Sequence, residues 1–314
     1  MTIAWLFPGQ GSQSVGMAKD VFASSAAAKR VVDEANAALG SDLGKLILEG
    51  PEAELTLTAN AQPAIVTVSS ALLAALREAH PSLPAPAFAA GHSLGEYSAL
   101  VASGALALAD AVRLVRARGN AMQDAVAPGA GAMSAVMGLE PTKVEALCAQ
   151  AADATGQVVS CANFNAPGQI VIAGHAAAVA KAAELVSNEK GKAIPLKVSA
   201  PFHCALMAPA AKVVATELDR VSLSALAFPV VANVDAKPNA SRERVKELLV
   251  RQVDGPVRWE ESVRFMKEAG VTHALEIGPG KVLAGLVKRI AKEIPVLSVG
   301  DLASIAEVPK FLGL

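Results

Sequence analysis

Short apolar runs alternate with longer runs of helical periodicity through much of this chain. The first short run is "TIAWLF", residues 2–7, and a similar one, "PAFAAGHS", covers residues 86–93. Between them, "QPAIVTVSSALLAALREA", residues 62–79, has the length and apolar spacing of a long helix. Strands that alternate with helices are joined by crossover connections, which produce a parallel sheet covered by helices. The pattern therefore predicts an α/β protein with a parallel-sheet core.

The stretch 131–198 has a different order of elements. Its segments are a strand "GAMSAVMGL", a helix "PTKVEALCAQAAD", two strands "QVVSCANFN" and "GQIVIAG", a helix "HAAAVAKAAELVSN" and a strand "KAIPLKVS". This βαββαβ order predicts a ferredoxin-like unit. We therefore expect a ferredoxin-like small domain, residues 128–198, inserted into a large α/β-hydrolase-like domain formed by residues 1–127 and 199–314.

The composition argues against several classes of function. Charged residues make up 18% of the 314 residues and the net charge is −1, which is unlike a nucleic-acid-binding protein. The three cysteines have no zinc-binding spacing, so we expect no metal site and a reducing compartment. The longest apolar run, 99–109, is too short to cross a bilayer, and the first residues lack the features of a signal peptide. We expect a cytoplasmic monomer without a membrane partner.

The segment "GHSLG", residues 91–95, fits the pattern G-x-S-x-G. This pattern is typical of a sharp turn between a strand and a helix, which exposes the serine at its apex. A strand-like run precedes Ser93 and a helical run, "LGEYSALVA", follows it. The backbone N–H of Leu94 would then lie at a helix N-terminus and face an oxyanion formed at Ser93. An ordinary strand-to-helix turn with an incidental serine is the alternative.

The glycine-rich segment "FPGQGSQ", residues 7–13, follows the first predicted strand. Turns of this kind bind phosphate through backbone N–H groups, so a nucleotide-binding module is a second interpretation. Neither this segment nor "GPGK", residues 278–281, has the spacing G-x-x-x-x-G-K-[ST], and "GQGSQSVG" is not G-x-G-x-x-G. The glycines alone do not decide which anion the turn would bind.

A serine nucleophile needs a base, and the chain has five histidines. His203, in "SAPFHCALMAPA", is the best candidate because it follows a proline, lies near the predicted domain junction and opens a helical stretch. His273 is the main rival. The aspartates between Ser93 and His203 lie in or beside helical stretches, so none is a convincing third member of a triad. A backbone carbonyl or an amide would then hold the histidine, which gives a dyad.

Arg118 falls inside the apolar arc of the predicted helix 107–126, between Leu114 and Met122. A buried guanidinium costs several kcal/mol of desolvation unless an anion pairs with it. A structural ion pair or a side chain that extends to solvent would explain this position. The functional interpretation is a fork for a substrate carboxylate, which arginine binds through two parallel hydrogen bonds.

Five segments together resemble the malonyl-CoA:acyl carrier protein transacylase family of type II fatty acid synthesis, a group that includes the acyltransferase domains of polyketide synthases. They are "FPGQGSQ", "GHSLGEYSAL", "RARGNAMQ" with Arg118, "SAPFHCALM" and "EIGPGKVLAGL". The resemblance runs in order from residue 3 to about residue 290. It agrees with the ferredoxin-like small domain that the βαββαβ order predicts.

The resemblance implies a role for each site residue. It implies Ser93 as the acylated nucleophile, His203 as its base, Arg118 as the ligand of the malonyl carboxylate, the backbone N–H groups of Gln10 and Leu94 as the oxyanion hole, the main-chain carbonyl of Gln252 as the group that holds the histidine, and Asn165 as a residue of the cleft. These assignments are expectations that the geometry of the folded chain has to support.

The resemblance also implies the reaction partners. Malonyl-CoA would be the substrate, coenzyme A the product, and phosphopantetheinylated acyl carrier protein the acceptor, with no bound cofactor. Carrier proteins of this kind are acidic, so we expect a basic docking surface. The candidates are Lys190, Lys192, Lys197, Lys281, Lys288, Arg289 and Lys292. The alternative is that these residues form a solvated helix face that has no role in docking.

Two other enzymatic interpretations remain open at this point. A free-standing acyltransferase that serves a polyketide synthase would use the same residues. An α/β-hydrolase esterase would also use Ser93, but it would need an acidic partner for its histidine and would have no use for a buried Arg118.

Overall fold

All 314 residues are described by a computed structural model, which contains ten strands and fourteen α-helices. The strands are β1 (Ile3–Phe7), β2 (Phe88–Gly91), β3 (Gly131–Met137), β4 (Val159–Ala166), β5 (Gln169–His175), β6 (Lys192–Pro195), β7 (Val230–Val231), β8 (Pro238–Asn239), β9 (His273–Ile277) and β10 (Val296–Val299). The helices are α1 (Lys19–Ser24), α2 (Ala26–Leu39), α3 (Leu43–Glu49), α4 (Glu52–Thr56), α5 (Thr58–Ala79), α6 (Gly95–Ala102), α7 (Leu108–Asp124), α8 (Pro141–Thr155), α9 (Ala176–Asn188), α10 (Ala208–Leu218), α11 (Arg242–Asp254), α12 (Trp259–Glu268), α13 (Val282–Ile290) and α14 (Leu302–Leu312).

The larger sheet has six strands in the order β10-β9-β1-β2-β7-β8. All neighbouring strands are parallel except β8, which runs antiparallel to β7. Strand β1 lies at the centre, where Ile3, Trp5 and Phe7 face one apolar core while Ala4 and Leu6 face another. A strand buried on both faces explains why "IAWLF" has no polar residue.

The smaller sheet is antiparallel, with the order β4-β5-β3-β6. Helices α8 and α9 cover one face and share a separate apolar core with it, which includes Val136, Leu147, Ile172 and Val186. The chain order β3-α8-β4-β5-α9-β6 is the predicted βαββαβ unit, so the predicted fold class is confirmed. The domain boundaries at residues 127/128 and 198/199 stay a prediction.

The strand predicted over "KAIPLKVS" is shorter than expected, and residues 19–39 form two helices. The second helix, α2, begins because the Ser25 side chain accepts a hydrogen bond from the Ala28 N–H. The last strand of the small sheet ends at Pro195, where the chain leaves β3.

One helix, α5, has the length and apolar character that a membrane span would need. In its most apolar 18-residue stretch, 78% is buried inside the fold, where α5 packs against α7 and α2.

Candidate active site

Ser93 lies at the apex of the turn between β2 and α6, with a backbone φ of 50°. This left-handed conformation is unusual for a residue with a side chain and requires support from its surroundings. Two side chains provide it. The Ser93 N–H donates to Asn233 Oδ1 at 2.6 Å, and the Ser93 carbonyl accepts from Gln252 Nε2 at 2.9 Å. The turn is therefore fixed from both sides by residues distant in sequence.

The glycines of the "GHSLG" turn are required by close backbone approaches. A Cβ on Gly91 would lie 1.9 Å from the carbonyl oxygen of Gly95, and a Cβ on Gly95 would lie 2.0 Å from the carbonyl oxygen of Phe7. The strand and the helix therefore meet with no room for a side chain. The pattern G-x-S-x-G reflects packing around the turn, which fixes where Ser93 points.

We predict that Gly91→Ala destabilises the protein by about 3 kcal/mol or more, the upper end for an overpacked core, because the obstructing atoms belong to the backbone. Thermal unfolding followed by circular dichroism measures the effect. Gly285→Ala is the matched control, since a Cβ there meets no atom within 4 Å and α13 favours alanine. Equal unfolding temperatures for Gly91→Ala and the wild type would show that the turn is not constrained in this way.

The "FPGQGSQ" turn packs directly on the nucleophile turn. A Cβ on Gly9 would lie 2.4 Å from the carbonyl oxygen of His92, so this glycine permits the contact. The next residue, Gln10, lines the cavity above Ser93, and its side chain donates to Thr58 Oγ1 at 3.1 Å. The backbone N–H groups of Gln10 and Leu94 donate to no group of the chain. Both are thus available to an oxyanion at Ser93.

His203 is buried, with its Nε2 2.7 Å from Ser93 Oγ and its Nδ1 2.9 Å from the main-chain oxygen of Gln252. A carbonyl oxygen can only accept, so Nδ1 carries the proton and Nε2 presents a lone pair to the serine hydroxyl. Burial, followed by the Arg118 charge, lowers the pKa of His203 to about 3. The imidazole is therefore neutral at neutral pH, which a general base must be.

Arg118 is 1% exposed and lies beside the nucleophile. Its Nη1 donates to Gln62 Oε1 at 2.8 Å, and its Nη2 donates to Gln252 Oε1 at 2.9 Å and to Ser93 Oγ at 3.1 Å. It forms no ion pair, and its Nε has no hydrogen-bond partner. Burial lowers the pKa of Arg118 from its ordinary value, but a guanidinium stays charged. A cation held by neutral amides retains its charge for an incoming anion.

Gln252 is in contact with all three of these residues. Its main-chain oxygen holds His203, its side-chain oxygen accepts from Arg118, and its side-chain nitrogen donates to the Ser93 carbonyl. The contact between its carbonyl and His203 is the one that the family resemblance implies. The roles of its side chain were not predicted.

None of the other histidines forms a hydrogen bond with the Ser93 hydroxyl. His92 Nε2 is 2.8 Å from Asn165 Oδ1, and its ring packs against Trp259. Asn165 therefore contacts the nucleophile turn and does not line the cavity, whereas Asn163 does. The register of β4 shifts between Cys161 and Asn163 and again between Phe164 and Ala166, so an irregularity lies beside each asparagine. His273, the rival base, lies at the start of β9 and packs against Phe311.

Four residues of the site were missed by the sequence analysis. They are Gln62 on α5, Glu96 and Tyr97 on α6, and Asn233 after β7. Glu96 and Tyr97 stand inside the quoted segment "GHSLGEYSAL", and both are buried although one is charged and one carries a hydroxyl. That combination in an otherwise apolar helix is the signal that would have found them.

The site opens into a cavity of about 420 Å³. Its lining includes Gln10, Ser93, Arg118, His203 and Lys197. No group of three or more His, Cys, Asp or Glu side chains comes together as a metal site. The arrangement places a serine hydroxyl bonded to a neutral histidine, two free N–H donors and a cation in one pocket, which suits transfer of an anionic acyl group.

Comparisons with known proteins agree with this chemistry. Residues 4–311 match the family described as the acyl transferase domain. The chain is 48% identical over 304 residues to the malonyl CoA-acyl carrier protein transacylase of Escherichia coli K12, covering 96% of this chain and 97% of that protein.

Two solved structures are similar over the whole chain. One is an acyl-carrier-protein S-malonyltransferase from Burkholderia pseudomallei, with a TM-score of 0.94, 48% identity and coverage of 99% of this chain and 100% of that one. The other is a malonyl-transacylase in complex with a type II polyketide synthase acyl-carrier protein, with a TM-score of 0.95, 44% identity and the same coverage. The chain therefore belongs to the acyl transferase family and, within it, to the malonyl-CoA:acyl carrier protein transacylases.

Proposed function

We propose that the protein transfers the malonyl group of malonyl-CoA to the phosphopantetheine thiol of acyl carrier protein, by a ping-pong mechanism through a malonyl ester on Ser93, and so supplies fatty acid synthesis. The observation that carries the proposal is the buried, unpaired charge of Arg118, whose Nη2 lies 3.1 Å from Ser93 Oγ. A neutral acyl group leaves this charge without a counterion, whereas the free carboxylate of a malonyl group pairs with it.

In the first half-reaction, Ser93 Oγ attacks the thioester carbonyl of malonyl-CoA as His203 Nε2 takes the hydroxyl proton. The carbonyl oxygen becomes an oxyanion that accepts from the N–H groups of Gln10 and Leu94, each worth about 3–4 kcal/mol in comparable enzymes. The C–S bond then breaks, and the proton on His203 passes to the coenzyme A sulfur. Coenzyme A leaves, and the malonyl group remains as an ester of Ser93.

In the second half-reaction, the carrier-protein thiol enters the same cavity. It loses its proton to His203 and attacks the malonyl ester, and the same two N–H donors stabilise the oxyanion. The C–O bond to Ser93 breaks, and His203 returns the proton to Ser93 Oγ. Every catalytic group in this cycle belongs to the chain, so malonyl-CoA and the carrier protein are the only other molecules required.

The dyad favours thioester transfer over an esterase reaction. The partner of His203 Nδ1 is the carbonyl of Gln252, which fixes the tautomer but carries no charge. Such a dyad stabilises the imidazolium less than a carboxylate would, and a thioester is activated enough to need less assistance. Asp110, one of the aspartates between Ser93 and His203 in the chain, instead pairs with Arg113 on α7.

A second candidate acceptor is the carrier protein of a polyketide synthase. One similar structure holds its transacylase in complex with such a carrier protein. The chemistry at Ser93 is the same for both carriers, so the choice depends on docking. Of the basic residues considered for docking, Lys197 lines the cavity, while Arg289 donates to the Pro167 carbonyl at 3.0 Å. We therefore favour Lys197 as a contact of the incoming phosphopantetheine arm. We assign the reaction to the cytoplasm, in agreement with three free, buried cysteines.

Transfer of radiolabelled malonyl groups to purified carrier proteins tests the proposal. We expect labelling of the phosphopantetheinylated form and none of the apo form, with coenzyme A released in equal amount. A fatty acid and a polyketide carrier protein compared in the same assay reveal the preferred acceptor. Hydrolysis of malonyl-CoA without carrier labelling would contradict the proposed transfer.

A further inference from the structure

Glu96 is a buried carboxylate that the proposed mechanism does not use. It lies on α6, one helical turn after Ser93, and is 3% exposed. It forms no ion pair with any arginine, lysine or histidine. Burial raises the pKa of this carboxyl to about 7, opposed by hydrogen bonds from Gln252 and Asn233. Burial of a carboxyl group costs free energy that burial of an apolar side chain of the same size would not. The presence of Glu96 at this position therefore has to be explained by the hydrogen bonds that it accepts.

One carboxylate oxygen of Glu96 holds the side chain of Gln252. Glu96 Oε2 accepts from Gln252 Nε2 at 2.8 Å, while Gln252 Oε1 accepts from Arg118 Nη2 at 2.9 Å. A guanidinium can only donate, so Gln252 Oε1 faces Arg118 and Gln252 Nε2 faces Glu96 Oε2, which permits a single orientation of the amide. The amide thus links the buried carboxyl of Glu96 to the buried guanidinium of Arg118 through two hydrogen bonds.

The same oxygen also reaches the nucleophile turn. Glu96 Oε2 accepts from the Asn233 backbone N–H at 3.0 Å. The Asn233 side chain accepts from the Ser93 N–H at 2.6 Å and donates to the Gly91 carbonyl at 2.7 Å. Glu96 therefore joins the two residues that hold the backbone of Ser93.

We infer that Glu96 is a positioning residue for acyl selection, which holds the Gln252 amide against Arg118 and so fixes the guanidinium relative to Ser93 Oγ. The inference rests on the proposed function, because it assigns a partner to the arginine that selects the malonyl carboxylate. Without an acceptor at residue 96, the Gln252 amide loses its support on the side opposite Arg118. The guanidinium then shifts, and a displacement of about 1 Å in such a site costs on the order of 100-fold in rate.

Glu96→Met tests the inference, since methionine has a similar length and no acceptor oxygen. We expect the ratio of kcat/KM for malonyl-CoA to that for acetyl-CoA to fall by at least about 10-fold, mainly through a higher KM for malonyl-CoA. The acetyl value should fall less, because both acyl groups use the Ser93 turn that Glu96 also supports through Asn233, whereas only the malonyl group uses Arg118. A merely structural role would lower both values by the same factor and leave their ratio unchanged.

Two further variants test whether Glu96 acts through the Gln252 amide and Arg118. Glu96→Gln keeps an acceptor oxygen for Gln252 and Asn233, so we expect it to retain the wild-type ratio within about threefold. In an Arg118→Ala background, Glu96→Met should cause no further change in the ratio, because the residue through which it acts is absent. Circular dichroism confirms that each variant is folded. If Glu96→Met does not fold, Gln252→Met removes the same amide, keeps the main-chain oxygen for His203 and should give the same loss of selectivity.

Three results would overturn the inference. They are an equal loss with both acyl groups in Glu96→Met, a further fall of the ratio in the Arg118→Ala background, and a wild-type ratio in Gln252→Met. The wild type is assayed first with malonyl-CoA and carrier protein. Failure of that transfer would reject the proposed function itself, whereas normal transfer with any of the three results rejects only the role of Glu96.

Discussion

Arg118→Ala is expected to reverse the acyl preference of the enzyme. Removal of one partner of a desolvated charge pair costs roughly 2–5 kcal/mol, so kcat/KM for malonyl-CoA should fall by about 30-fold to several thousand-fold. Acetyl transfer should rise in the same variant, because no buried charge is then left unpaired by a neutral acyl group. Steady-state transfer rates with malonyl-CoA and acetyl-CoA measure both changes.

Arg113→Ala is the matched control for this variant. Arg113 lies on the same helix, α7, but faces solvent and pairs with Asp110 at 2.7 Å. Exposed ion pairs contribute about 0–1 kcal/mol, so this variant should transfer malonyl groups as the wild type does. An unchanged preference for malonyl-CoA in Arg118→Ala would refute the role of the guanidinium in selection.

His203→Ala is expected to slow acylation of Ser93 by about 10²- to 10⁴-fold, the range for loss of a positioned general base. Substrate binding should change little, because the cation that binds the carboxylate is still present. Rapid-quench measurement of acyl-enzyme formation separates the two effects. Because the pKa of His203 is lowered to about 3, the imidazole of the wild type is neutral at neutral pH and can accept the serine proton.

His273→Ala serves as the control for the base, since His273 was the rival candidate in the sequence. It lies at the start of β9 and packs against Phe311. Its replacement should leave the acylation rate at the wild-type value. Slow acylation in His273→Ala together with wild-type acylation in His203→Ala would identify His273 as the base instead of His203.

The residues proposed as nucleophile, base and selecting cation could all be named from the sequence because each depends on a local pattern. Ser93 stands in a turn whose glycines are adjacent in the chain. Arg118 stands out against the apolar arc of a single helix, and it is indeed buried there. His203 follows a proline in an irregular segment between two regular ones. Such features can be recognised in the sequence because they depend on few residues that are distant in the chain.

The surrounding hydrogen-bond network could not be predicted in the same way. Asn233 and Gln252 reach Ser93 from 140 and 159 residues away in the chain. Gln62 meets Arg118 across the contact of α5 with α7, which depends on Gly119 lying against the backbone of Ala59. The partner of His203 is a main-chain oxygen, a group that every residue possesses. Only the folded chain selects these partners from many equivalent ones.

The mass of the intact protein after brief mixing with malonyl-CoA decides whether Ser93 carries the acyl group. We predict a gain of one malonyl group per chain, located on the peptide that contains Ser93, and its loss when phosphopantetheinylated carrier protein is added. Ser93→Ala should gain no mass, and acetyl-CoA should give far less adduct than malonyl-CoA. No adduct in rapidly quenched wild-type samples, or an equal adduct in Ser93→Ala, would contradict covalent transfer through this serine.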